Sequence, residues 1–194
     1  MNRKHMRKKL FFTLFTCLLF TGCSAQTKKD SSEQAIRAVL QQQFTAPDAE
    51  YIRLAEEVEK QLLENRKETA DPQGVVSLPE GAPELQEMEA YVKETFDPYF
   101  TENGYENMRP LLFFYHWSTM DYELEVTDLS INQSDVAPTH YDFIAQVLYT
   151  NRQGQTLPFE ITGTAICPEE GKIGKMTVDD HGLMQQMQQD FPQS

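Results

Sequence analysis

Tyr141-Asp-Phe-Ile-Ala-Gln-Val-Leu-Tyr149 decides the fold. Tyr141, Phe143, Ala145, Val147 and Tyr149 recur at every second position, with Asp142 and Gln146 among the residues between. A period of two sustained this long is a strand with one face on a core. Downstream, Asn151-Arg-Gln-Gly154 is a hairpin turn signal. Leu157, Phe159 and Ile161 form the next strand, leading to Cys167. Pro168-Glu-Glu-Gly171 turns the chain again, residues 173–178 form a last strand, and residues 182–190 a short final helix or tail. Upstream, Tyr122, Leu124 and Val126 alternate with Glu123, Glu125 and Thr127. Leu129 and Ile131 continue in the opposite phase, which predicts a bulge or twist near Asp128. The apolar and aromatic run 111–117 reads as the first strand-forming stretch.

The residues before position 111 have helical spacing. Ser31 and Gln34 make a capping box, followed by Ile36, Val39, Leu40 and Phe44 on one face. Thr45-Ala-Pro-Asp48 starts a second helix, with Pro47 in its first turn. Its stripe is Tyr51, Leu54, Ala55, Val58 and Leu62, and Glu56, Glu57, Glu59 and Glu64 face water. Residues 65–82 form a long polar break, with Val75 and Val76 as anchors. Pro83 opens a third helix with Leu85, Met88, Val92 and Phe96 in line, ended by Asp97-Pro98. Helices followed by an antiparallel meander give an α+β class, with N-terminal helices packed on one face of a curved sheet. Phe143, Val147, Phe159 and Ile161 are expected beneath a stripe of Ile36, Leu40, Leu54 and Val58.

The N-terminus carries an address. Arg3, Lys4, Arg7, Lys8 and Lys9 precede the apolar run 10–20, and Thr21, Gly22 and Cys23 follow. This is the layout of an export signal, and the run is shorter than the ~20 residues a spanning helix needs. Leu19-Phe-Thr-Gly-Cys23 resembles a bacterial lipobox, with Phe20 where that motif usually has Leu. The resemblance implies cleavage before Cys23, lipid on Cys23, and anchoring on the extracytoplasmic face of a bacterial membrane. The expected organisation is a signal peptide at 1–22, a lipid-anchored flexible tether at 23–33 and one domain at 34–194. Removing 1–22 takes away five basic residues and no acidic one, which leaves 12 Lys and Arg against 30 Asp and Glu, a formal charge of −18. Such a chain repels nucleic acid and anionic headgroups, so the membrane is held through acyl chains.

The order of elements over 31–180 resembles the NTF2-like superfamily, a cone-shaped α+β fold. The resemblance rests on residues 141–149, on Phe159-Glu-Ile-Thr-Gly-Thr-Ala165 and on Gly171-Lys-Ile-Gly-Lys-Met-Thr-Val178. A cystatin-like sheet wrapped on a helix is the structural alternative. The fold hosts enzymes and purely structural domains alike, so side chains must decide.

No phosphate loop, nucleophile elbow or His-Glu-x-x-His motif is present in the sequence, and its histidines and cysteines are too scattered for a zinc site. No metal or cofactor is expected. Once Cys17 is removed and Cys23 lipidated, Cys167 stands alone in an apolar run and reads as a buried, inert thiol. The candidate pocket residues are His116, Trp117, Asp128 and His140, with Asp142 beside them. A His–Asp pair inside a cone performs acid–base work, but Asp142 is out of phase with the apolar face. No catalytic residue is therefore assigned. The aromatic run Phe113, Phe114, Tyr115, Trp117 and Tyr122 reads as core rather than as a ligand pocket. The expectation is a non-catalytic module that binds another protein or its own copy; the alternative is a small-molecule binder or enzyme using the cone.

Overall fold

The computed structural model describes residues 30–68, 78–79, 81–117 and 121–191. Residues 1–29, which cover the expected export signal, Cys23 and most of the expected tether, and the expected anchors Val75 and Val76 lie outside the described residues. Four helices, α1 (Ser31–Gln43), α2 (Ala49–Glu68), α3 (Pro83–Phe96) and α4 (Glu102–Met108), precede four strands. The strands are β1 (Glu123–Gln133), β2 (His140–Thr150), β3 (Thr156–Ile166) and β4 (Lys175–Asp179), and α5 (Leu183–Asp190) follows them. They form one antiparallel meander in the order β1-β2-β3-β4, open at both edges, so the class is α+β.

The alternation in β2 does what its period requires: Tyr141, Phe143, Ala145, Val147 and Tyr149 are all buried. The phase change in β1 is a bulge between Val126 and Asp128. Ile36, Val39 and Leu40 from α1 and Phe44 at its end join the buried face of the sheet in one core, whereas Leu54 of α2, expected there too, is buried outside that cluster. Phe159 and Val58, expected in the same layer, are only half-buried; Phe159 packs against the core and Val58 is not part of it. Phe143 faces Gly163 across the β2–β3 ladder, and its ring occupies the space where a Cβ on Gly163 would stand. An aromatic ring is laid there over a residue without a side chain.

Five local expectations are corrected. Asp30, not Ser31, caps α1, accepting from the Ser32 N–H at 2.9 Å, so residues 31–33 form the first helical turn rather than the end of a tether. Asp48 plays the same part for α2, accepting from the Tyr51 N–H at 2.9 Å, and Pro47 precedes the helix. Residues 65–68 continue α2 instead of opening the break. The run 111–117 is not a strand but a chain of turns, and the last strand starts at Lys175. At its start, Ile173 and Phe100 form a parallel bridge that ties the segment after α3 to the sheet.

Candidate functional site

Two side chains outside it hold the main chain of the run 111–117: Tyr122, whose hydroxyl accepts from the Trp117 N–H at 2.9 Å and donates to the Tyr115 carbonyl, and Gln43. Gln43, buried at the end of α1, donates through Nε2 to the Leu111 carbonyl at 2.8 Å. Its Oε1 accepts from the Phe113 N–H at 3.1 Å. The amide thus takes the place of a neighbouring strand. Phe113 sits at φ 56, a left-handed conformation that a bulky residue adopts only when its surroundings impose it. That kink sends successive aromatic rings in different directions. Phe113 stacks on Tyr51 at 4.3 Å, Tyr115 tilts against Phe44 at 4.8 Å, and Phe114 turns out to solvent.

Phe114 lies on a groove of about 390 Å³. One wall is Val39, Leu40 and Phe44 of α1; the other is Met176 and Val178 of β4; Met108, Leu111 and Phe114 run along the rim. Leu111, Phe114 and Val178 are 51%, 45% and 39% exposed. Large apolar side chains gathered around one concavity mark an interaction site more often than scattered ones do. The polar groups there are already committed. The Gln43 amide serves the main chain, and the Thr177 hydroxyl shares a hydrogen bond with that of Thr164 at 2.7 Å. The Tyr115 hydroxyl donates to Asp180 at 3.0 Å, and burial, with that carboxylate beside it, raises its pKa so that it keeps its proton. The groove offers apolar surface and no poised acid or base.

The residues singled out in the sequence do not converge. His116 is 4% exposed, sits edge-on to Phe113 at 4.8 Å, and bonds through Nε2 to the Gln42 carbonyl at 3.1 Å. Its Nδ1 is buried without a partner, and burial lowers its pKa, so the ring is neutral. Trp117 is half-buried; its Nε1 donates to the Phe114 carbonyl at 3.1 Å and its ring meets Phe191 edge-on at 5.7 Å. Asp128 lies exposed at the bulge opposite Gln146, and His140 lies exposed at the start of β2. Six residues of strand, ~20 Å, separate Gln146 from His140. None of the four lines the groove. Of the aromatic run, Phe113, Tyr115 and Tyr122 are core as expected, whereas Phe114 is not. Gln43 had no sequence signal: its partners are 68 and 70 residues away.

A second groove, between α3 and α4, has an apolar floor of Met88, Val92 and Leu112. Its charges answer each other: Arg109 approaches Glu89 at 3.9 Å and Glu106 at 3.8 Å. Among the described residues no group of three or more His, Cys, Asp or Glu is arranged to hold a metal ion, and Cys167 is a buried free thiol. No helix there is long and apolar enough to cross a membrane. No protein-family model, curated protein or solved structure matches the chain.

Proposed function

We propose that this chain is a lipid-anchored protein of the bacterial envelope, held through Cys23 on the extracytoplasmic face. Its α+β domain, read as NTF2-like, acts as a non-catalytic module that binds another protein or its own copy. Support for the address is the charged, apolar and small-residue order of 1–23. Support for the fold type is the order of helices and then a bulged four-stranded meander covered on one face. The observation that carries the binding role is the apolar groove, with Leu111, Phe114 and Val178 exposed around it. Apolar side chains left in water at one place have a favourable free energy to recover on docking, ~25 cal/mol per Å² covered.

The groove's volume also favours a second reading, a small apolar ligand, since ligand pockets fall at ~300–1,000 Å³. One experiment separates them. A photo-reactive side chain replaces Phe114 in living cells, and another replaces Leu63, an exposed residue of α2, as control. A protein adduct at position 114 and none at position 63 supports the module. A small-molecule adduct alone supports the second reading. Equal labelling at both positions, or none, contradicts both.

A further inference from the structure

The sheet's two free edges are unlike. The β1 edge is guarded by a bulge, by Glu123, Glu125 and Asp128, and by the bridge from Ala46 to Leu124. The β4 side is occupied at its start, where the Ile173 N–H donates to the Tyr99 carbonyl at 2.8 Å, the Thr101 N–H donates to the Ile173 carbonyl at 3.0 Å and α4 packs alongside. Over 175–179 the strand carries Lys175 and Asp179 but, among the described residues, has no bridge on that side. The direction of its main-chain groups follows from the ladder. The Ser134 N–H donates to the His140 carbonyl at 2.9 Å, and the Cys167 N–H to the Thr139 carbonyl at 2.8 Å. In an antiparallel ladder the bonding side alternates residue by residue. Even-numbered residues of β2 therefore bond toward β1 and odd-numbered ones toward β3. With Phe143 opposite Gly163, and Thr164 opposite Thr177, the even residues of β3 bond toward β4. Lys175, Thr177 and Asp179 consequently face β3, and the N–H and C=O groups of Met176 and Val178 point out of the sheet. Among the described residues none bonds to them.

The sequence of this edge, Lys175-Met-Thr-Val-Asp179, is complementary to itself in reverse. Laid antiparallel to a second copy about Thr177, Met176 meets Val178 of that copy and Lys175 meets its Asp179. Two such Met–Val pairs supply four main-chain hydrogen bonds, and two Lys–Asp pairs lie across the seam. A parallel alignment would set Lys against Lys and Asp against Asp, so the charges select the antiparallel one. The exposed Leu111, Phe114 and Val178 line the groove beside this edge, and the two-fold brings them toward their counterparts.

We propose that β4 is a homodimer seam, pairing antiparallel with β4 of a second copy to make one continuous eight-stranded sheet. The proposal deepens the binding-module reading and rests on it.

Thr177 sits on the two-fold, in a non-hydrogen-bonded pair with a Cα separation of ~4.5 Å, within the range a disulfide spans. Full-length Thr177→Cys, oxidised in air, is expected to run as a disulfide-linked dimer; the wild-type chain and Asp142→Cys, on the same outer face, are expected not to. In sedimentation at graded concentrations, Lys175→Glu and Asp179→Lys should each weaken the dimer about tenfold, and the combined swap should restore it. Both charges are exposed, but Asp179 accepts from the His181 N–H at 2.9 Å, so a melting curve of each variant checks that the fold is kept. A monomeric wild type, no cross-link at Thr177→Cys, or single swaps without effect would each overturn the seam. A monomer that still labels a foreign protein from position 114 sinks the seam alone; a monomer that labels nothing sinks the module reading with it.

Discussion

The Tyr91 hydroxyl donates to both carboxylate oxygens of Asp48, at 3.0 and 2.9 Å, and so fastens α3 to the cap of α2. Gln42 of α1 reaches the same carboxylate at 2.7 Å, so one side chain joins three helices. The arrangement recurs. Tyr141 of β2 donates to Asp30, the cap of α1; Tyr115 to Asp180, which accepts from the Met184 N–H in the first turn of α5; and Tyr149 to Asp190 at the end of α5. Tyrosine hydroxyls on the core thus hold aspartates at helix ends.

Asp48→Ala removes a cap and two side-chain bonds together. It should cost ~2 kcal/mol in urea unfolding, at the upper end for a cap. Asp48→Asn keeps an acceptor and should cost about half as much.

Gly163 tests the packing of the Phe143 ring. A methyl there meets the Phe143 ring and the Thr177 carbonyl. Gly163→Ala should destabilise by ~1–3 kcal/mol through overpacking, and Phe143→Ala by ~3–5 kcal/mol through the cavity it leaves. In the double variant the ring is gone, so the combined cost should fall below the sum of the two; additive costs would contradict the contact.

The tyrosines set an alkaline limit. Burial, with Asp48 beside Tyr91 and Asp30 beside Tyr141, raises both from 10.0 to about 12, and burial does the same for Tyr122. The native state holds these protons where the unfolded chain releases them. Their contribution is therefore complete below pH 10 and is lost as pH rises toward 12. Melting temperature should fall over that window, with tyrosinate absorbance lagging behind that of the denatured chain.

His116 acts at the other end of the scale. Burial lowers its pKa from 6.5, so below that pH the unfolded chain takes up a proton that the native ring refuses. Its contribution is present above pH 6.5 and lost as pH falls toward the lowered native value. His116→Phe should flatten the stability curve just below pH 6.5; an unchanged slope would show that the ring is not held neutral.

The strands were legible because β2 states its buried face at every second residue, and the bulge near Asp128 because the apolar phase slips there. The run 111–117 misled because an apolar stretch without clear alternation describes a strand and a kinked core segment equally well. What separates the two lies outside the run, in Tyr122 and in Gln43, a distant residue. The Tyr–Asp pairs were hidden for the same reason, since Tyr141 and Asp30 stand 111 residues apart. The groove was legible only as an aromatic cluster, because the outward turn of Phe114 depends on the left-handed backbone at Phe113.

The proposed function rests on the address proposed for residues 1–23. Intact mass of the protein extracted from membranes tests it most directly. The account predicts a chain that begins at Cys23, lacks residues 1–22 and carries the added mass of acyl groups on Cys23, all lost in Cys23→Ser. A full-length chain, or a chain cut elsewhere without acyl mass, would contradict it.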